Sequence, residues 1–201
     1  MVVEEETHVM PKVQVVYATR HDGTAGIAQR IAEVLRGQGA DVMLADAADR
    51  PDPGGFDGYV VGSGVYIGNW LKEGTEFLSR NQSKLAEKPV WLFSSGPLPN
   101  SSKTALAEDA LTRALGPAEG PGSGGRKKLA ALALVIRPRE HRVFMGAYDP
   151  DDPAKSMAER VVRLMPGAKK ILPAGDFREW DAIEAWARDI GAEVLAKVPV
   201  G

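Results

Sequence analysis

The chain has 201 residues, 44% of them hydrophobic, and a formal net charge of −2. This predicts one domain with its own core and gives no basic field for nucleic acid. It has no cysteine and three scattered histidines, which argues against disulfides, cysteine nucleophiles and a zinc site, so no metal is expected.

Residues 1–11 at the start of the chain are acidic and have no apolar core. We interpret them as a disordered leader rather than a signal peptide. The longest strongly apolar run, residues 129–136, is too short to cross a bilayer. A cytoplasmic protein is therefore expected, with peripheral contact at the inner face of the membrane as the less favoured alternative.

The stretch VQVVYATRHDGT, residues 13–24, joins an apolar strand to a turn that contains hydroxyl side chains and glycine. A strand that ends in such a turn directs backbone N–H groups and the positive end of a helix at one point, which is a phosphate site. The helix itself is predicted because five apolar residues fall on one helical face: Ile27, Ala28, Ile31, Val34 and Leu35.

The chemistry of this turn favours a single terminal phosphate. No Gly-Lys-Ser/Thr follows, as an ATP-binding loop requires, and the Gly-x-Gly-x-x-Gly of pyrophosphate cofactors is absent. Thr19 and Thr24 flank the turn and can donate hydroxyls, so FMN fits better than NAD or ATP. Arg20 can balance the phosphate charge, and His21 can touch the phosphate. The alternative is a plain strand–helix turn with a threonine N-cap.

Strands and helices alternate along the rest of the chain. Further strands are predicted at residues 41–45, 58–63, 90–93 and 141–147, and helices at 70–81, 103–115, 127–135, 153–165 and 178–197. A flexible loop is expected at residues 116–125 and an insertion at about 148–177. The pattern predicts one α/β domain over residues 12–198. We expect a three-layer sandwich whose five-stranded parallel sheet has the order 2-1-3-4-5.

In that order a ligand lies beyond the carboxyl ends of the strands. The turns after strands one, three and four all contain small residues that allow close backbone approach, including GVYIGNW at 64–70 and SSGPLPN at 94–100. Tyr66 and Trp70 offer aromatic faces for stacking on a flat ring, although ordinary packing explains each of them alone. The coincidence of three such loops predicts a flavin site.

Three segments together resemble flavodoxin-domain proteins: Thr19-Arg20-x-x-Gly23-Thr24, the loop at 62–70, and the tail Asp176-x-x-x-Trp180-Asp181-x-Ile183-x-x-Trp186-Ala187. The resemblance is closest to the branch that includes menaquinone-dependent protoporphyrinogen oxidase. It implies a flavodoxin-like fold and non-covalent FMN, with the phosphate at Thr19, Arg20, His21, Gly23 and Thr24. It also implies that the flavin ring lies between two loops. The first consists of Val65, Tyr66, Ile67, Gly68, Asn69 and Trp70, and the second of Ser95, Gly96, Pro97 and Leu98.

Two departures from electron-carrier flavodoxins favour an enzyme. The loop SSGPLP has no aromatic residue to cover the ring, and neither ring-binding loop has an acidic residue to disfavour a negatively charged reduced flavin. The sequence therefore predicts an oxidoreductase that passes electrons between a flat organic substrate and a quinone, as the protoporphyrinogen oxidase branch does. The alternatives are a one-electron carrier that docks with redox partner proteins and a flavin-less binding module. No side chain is identified as a catalytic acid or base.

The predicted insertion has Arg160 and Arg163 beside apolar residues such as Val161 and Leu164. A basic amphipathic helix at this place can lie on an anionic membrane or hold propionate groups. The preferred interpretation is a covering helix whose charges are solvated.

Overall fold

Five parallel strands form the centre of the molecule. The computed structural model describes residues 10–66, 68–96, 124–149, 151 and 174–196. Its strands are β1 (Lys12–Ala18), β2 (Asp41–Asp46), β3 (Gly58–Tyr66), β4 (Asn69–Trp70), β5 (Val90–Ser95) and β6 (Glu140–Phe144), followed by β7 (Ala147–Tyr148) and β8 (Gly175–Asp176). The central sheet has the order β2-β1-β3-β5-β6 with every neighbour parallel. The predicted 2-1-3-4-5 order is confirmed.

Helices cover both faces of this sheet. They are α1 (Gly23–Gly37), α2 (Lys72–Ala86), α3 (Gly124–Ile136) and α4 (Trp180–Leu195), and a single 3-10 turn covers Ala47–Asp49. Alternation along β1 sends Val13 and Val15 into the core beneath α1 and α4, whereas Val16 and Ala18 enter the core beneath α2 and α3. A central strand buried on both sides explains why β1 is mostly apolar. Its one buried polar residue, Gln14, donates from Nε2 to the carbonyl oxygen of Asp52 at 2.9 Å. The three-layer α/β sandwich is also confirmed.

The predicted turn after β3 is partly a hairpin. Strand β3 extends three residues beyond its predicted end, and β4 pairs with it in antiparallel fashion, with Val65 opposite Trp70 and Tyr66 opposite Asn69. Helix α2 therefore begins at Lys72 and not at Trp70. The backbone N–H of Leu71, at the N-cap, donates to Ser63 Oγ at 3.0 Å, which fixes the start of the helix against the sheet.

The ends of the predicted insertion are joined by a small second sheet. Strand β7 pairs antiparallel with β8, and the N–H of Phe177 donates to the carbonyl of Gly146 at 3.1 Å. The predicted strand 141–147 is thus divided, because β6 ends at Phe144. Most of the insertion lies outside the described residues, including its predicted helix at 153–165 with Arg160 and Arg163.

Other predictions are tested only in part. The helix predicted at 103–115 and residues 1–9 of the leader lie outside the described residues, as does the loop up to residue 123. The last two residues of that predicted loop, Gly124 and Gly125, belong to α3. At the end of the leader, the Pro11 carbonyl accepts from the N–H of Asp41 at 2.9 Å. Within the described ranges, no helix has the length and apolarity needed to cross a membrane.

Candidate functional site

The loops after β1, β3 and β5 meet at the carboxyl edge of the sheet. A Cβ placed on Gly64 would stand 3.2 Å from Thr24 Oγ1 and 3.3 Å from Tyr66 Cε2. A Cβ on Gly96 would stand 3.2 Å from the carbonyl oxygen of Val65, and Gly96 has a φ of +138°, which favours glycine. The small residues thus allow the loops to approach one another closely at this edge, as the sequence predicted from their positions.

The start of α1 differs in detail from a threonine cap. Asp22 is the N-cap, in the left-handed region at φ 45°, and its side chain caps no backbone N–H. The N–H of Gly23 donates to the carbonyl of His21. Thr24 is instead the second residue of the helix and is only 4% exposed. Because the first turn also has no acidic residue, the positive end of α1 is available to an anion.

Two side chains of the predicted phosphate loop, Arg20 and His21, lie beside Tyr66. The guanidinium carbon of Arg20 lies 5.5 Å from the centre of the Tyr66 ring, a cation–π arrangement. The His21 ring lies 6.5 Å from the same ring, tilted by 33°. The structure therefore brings residues of the phosphate loop and of the ring-binding loop into contact. Thr19 is half-buried at the carboxyl end of β1.

Trp70 is in a different environment from the one that stacking requires. It is 5% exposed and packs in the core between the sheet and α2. Its indole N–H donates to Ser94 Oγ at 2.7 Å, and Ser94 Oγ in turn lies 2.9 Å from His141 Nε2. The interpretation of Trp70 as an open stacking face is therefore corrected, because a flat ligand would have to displace core contacts to reach it. The sequence did not predict this buried series of hydrogen bonds, because Ser94 was assigned to a loop.

A second arginine, absent from the predicted site, borders the start of α1. Arg178 binds Asp176 through Nε and Nη2, at 2.8 and 2.6 Å, and its Nη1 lies 3.5 Å from the carbonyl oxygen of Gly23. Its guanidinium also lies 4.4 Å from the centre of the Trp180 ring. Hydrogen bonds from Arg178 hold the pKa of Asp176 below its ordinary value. The segment before α4 is thereby fixed beside the phosphate loop.

The remaining predicted residues divide into three groups. Val65, Gly68 and Asn69 lie in or beside the β3–β4 hairpin, and Ser95 is a buried residue at the end of β5. A Cβ on Gly68 would stand 2.9 Å from Nη1 of Arg126, a residue of α3 that the sequence did not assign to the site. Ile67, Pro97 and Leu98 lie outside the described residues.

These features define the class of open, doubly wound α/β domains, whose ligand loops lie at the switch point of the sheet. Residues 14–152 match the flavodoxin domain, so the chain belongs to the flavodoxin domain family. No curated protein matches the chain.

Three solved structures share the fold at low sequence identity. The rubredoxin oxygen:oxidoreductase of the anaerobe Desulfovibrio gigas has a TM-score of 0.54 and 15% identity, covering 94% of this chain and 38% of that one. This chain therefore spans well under half of that protein. A flavodoxin from the domain Archaea has a TM-score of 0.51 and 13% identity, covering 91% of this chain and 98% of its own. Flavodoxin 1 of Bacillus cereus has a TM-score of 0.51 and 14% identity, covering 94% of this chain and 99% of its own.

Proposed function

We propose that this chain binds FMN at the carboxyl edge of its sheet and passes electrons between a flat organic substrate and a quinone. The observation that carries the proposal is the convergence of Thr24, Gly64 and Tyr66 at one point, beside an uncapped helix start. A larger residue at Gly64 would press on Thr24 and Tyr66, and the donors offered here are the Thr24 hydroxyl and the first backbone N–H groups of α1. These donors suit a terminal phosphate rather than a pyrophosphate.

Different parts of the site would hold different parts of FMN. The hydroxyls of Thr19 and Thr24 and the first backbone N–H groups of α1 would bind the phosphate, with Arg20 balancing its charge. The β3–β4 hairpin and the loop that begins at Ser95 would hold the ring. Bound FMN supplies the electron chemistry, and this chain binds it, orients it and limits its access to water. No described side chain is assigned as an acid or base.

Transfer to a quinone, as in protoporphyrinogen oxidase, is supported by the composition of the two ring loops. Neither has an acidic residue, and SSGPLP has no aromatic residue to cover the second face of a ring. An uncovered face suits a flat acceptor that stacks on it. A one-electron carrier is the second candidate, because this chain covers 98% and 99% of two flavodoxins.

The absorption spectrum of the purified protein, before and after reduction, tests the cofactor. We expect a flavin spectrum at one equivalent per chain, and we expect heat to release FMN. Stoichiometric FAD, or a protein that takes up no flavin when FMN is added, would overturn the proposal. Steady-state turnover then separates the two candidates. Turnover of protoporphyrinogen with a menaquinone analogue supports the enzyme, whereas electron delivery only to protein partners supports the carrier.

Tyr66 provides a more local test of the ring position. If its ring stacks on the flavin, Tyr66→Ala should loosen FMN binding and restore flavin fluorescence, whereas Tyr66→Phe should retain both properties of the wild type. Stacking contributes about 0.5–1.5 kcal/mol beyond area burial, which is up to about tenfold in affinity. Equal affinity and fluorescence for wild type, alanine and phenylalanine proteins would remove Tyr66 from the site.

A further inference from the structure

Arg126 reaches the β3–β4 hairpin at Gly68, whereas Arg20 contacts it at Tyr66. It lies in the first turn of the described part of α3, and its Nη1 is 2.9 Å from the position of a Cβ on Gly68. Gly68 has a φ of +70° and no side chain, so the guanidinium comes directly against the turn between the two strands. A Cβ on the neighbouring Gly125 would stand 2.5 Å from Asn69 Oδ1. The start of α3 therefore lies against β4.

The charge of Arg126 is not neutralised by the residues that the structure describes. Its Nε is buried without a hydrogen-bond partner there, and it forms no ion pair with a described carboxylate. The first turn of α3 has no acidic residue. A buried donor without a partner is unfavourable, so its position is explained best by a group that arrives with a ligand.

Lysines and arginines outnumber carboxylates among the other charged and titratable groups on the elements around the hairpin. They are Arg20, His21 and Asp22 after β1, Lys72, Glu73, Glu76, Arg80 and Lys84 on α2, Lys127 and Lys128 on α3, Glu140, His141 and Arg142 on β6, and Asp176 and Arg178 before α4. Three of the carboxylates among them are paired elsewhere, Glu76 with Lys72, Glu140 with Arg142 and Asp176 with Arg178. The hairpin itself contains no carboxylate.

We propose that Arg126 stabilises the negative charge that FMN gains on full reduction. The inference rests on the proposed function. Full reduction adds two electrons. When only one proton accompanies them, the ring gains one negative charge, and a second proton would neutralise it. A guanidinium held at the ring-binding hairpin favours the charged form, because it lowers the free energy of a nearby anion. Arg126 thereby makes the second electron easier to add, which suits transfer of electrons in pairs.

Removal of this charge is tested with Arg126→Gln on the FMN-loaded protein. We expect the affinity for fully reduced FMN to fall about tenfold relative to one-electron-reduced FMN. That corresponds to a potential for the second electron about 59 mV lower. Arg126→Lys should retain most of the wild-type potential. Lys128→Gln is the matched control, since it deletes the same charge from an exposed position two residues further along α3. Equal shifts in Arg126→Gln and Lys128→Gln would overturn the proposal, as would no shift in either.

A measurement on the wild type alone gives a second test. The pH dependence of the spectrum of reduced FMN reports when its ring takes up the second proton. We expect the bound ring to take up that proton at lower pH than free FMN does, and a higher pH would overturn the proposal. These results are separable from the proposed function. A chain that binds FMN normally but gives no shift loses only this inference, whereas a chain that binds no FMN loses both.

Discussion

Thr24→Val removes one hydroxyl from the proposed phosphate site and leaves its shape almost unchanged. Thr24 is 4% exposed and is the second residue of α1, and valine has the same branched outline. A buried hydroxyl replaced by a methyl group of the same shape is nearly neutral for folding when no described partner is left unpaired. The substitution should therefore change ligand binding more than stability.

The magnitude follows from the charge of the ligand. A hydrogen bond to a charged group contributes about 1.5–3 kcal/mol, and each 1.4 kcal/mol is tenfold in affinity. FMN should bind roughly ten- to hundredfold more weakly to Thr24→Val. Riboflavin has no phosphate, so its affinity should be nearly unchanged.

Fluorescence titration of both ligands against both proteins measures this difference. Thr75→Val is a matched control, because Thr75 is also buried but its hydroxyl bonds to backbone carbonyls within α2. It should leave both affinities unchanged. The reasoning is refuted if Thr24→Val weakens FMN and riboflavin by the same factor, since the hydroxyl would then act on the shape of the loop and not on the phosphate.

Two further predictions concern stability. A Cβ on Gly62 would overlap the Phe93 ring, so Gly62→Ala should cost about 1–3 kcal/mol and lower Tm by about 2–12 °C. A Cβ on Gly37 would meet no atom within 4 Å, so Gly37→Ala should leave the calorimetric Tm equal to that of the wild type or slightly higher. Equal Tm for the two variants would contradict the predicted overlap with Phe93. The second prediction concerns pH. Because Arg178 lowers the pKa of Asp176 from 3.8, this pair stabilises the fold at neutral pH and loses that contribution as pH falls below about 4. In Arg178→Gln, Tm should decrease less at acidic pH than it does in the wild type. An equal decrease in both proteins would contradict this prediction.

Periodicity was sufficient to predict the central sheet, because five apolar segments separated by helical patterns have few arrangements. Apart from Gln14, the run from Val13 to Ala18 is apolar on both faces, which is typical of a central parallel strand. The position of the phosphate loop followed from that sheet, since the carboxyl ends of parallel strands share one edge.

Contacts between residues far apart in the chain were not predictable in the same way. Trp70 was interpreted as a ligand contact because aromatic residues occur in binding loops, yet its indole N–H is bound by Ser94 in the core. Arg126, on α3, and Arg178, just before α4, are far along the chain from the loops they border. Neither has a local pattern that distinguishes it from a solvated arginine, so only the folded structure assigns them to the site.

The pairing of β7 with β8 brings together the two ends of the segment that joins them. Because Ala147 lies opposite Asp176 and Tyr148 opposite Gly175, both ends of that segment are held side by side whatever its length. Closing a longer loop on fixed ends costs little, about 0.6 kcal/mol for each doubling of length. A change in the length of the joining segment therefore need not change the pairing of Ala147 with Asp176. Relatives with very different lengths at this point are compatible with one scaffold.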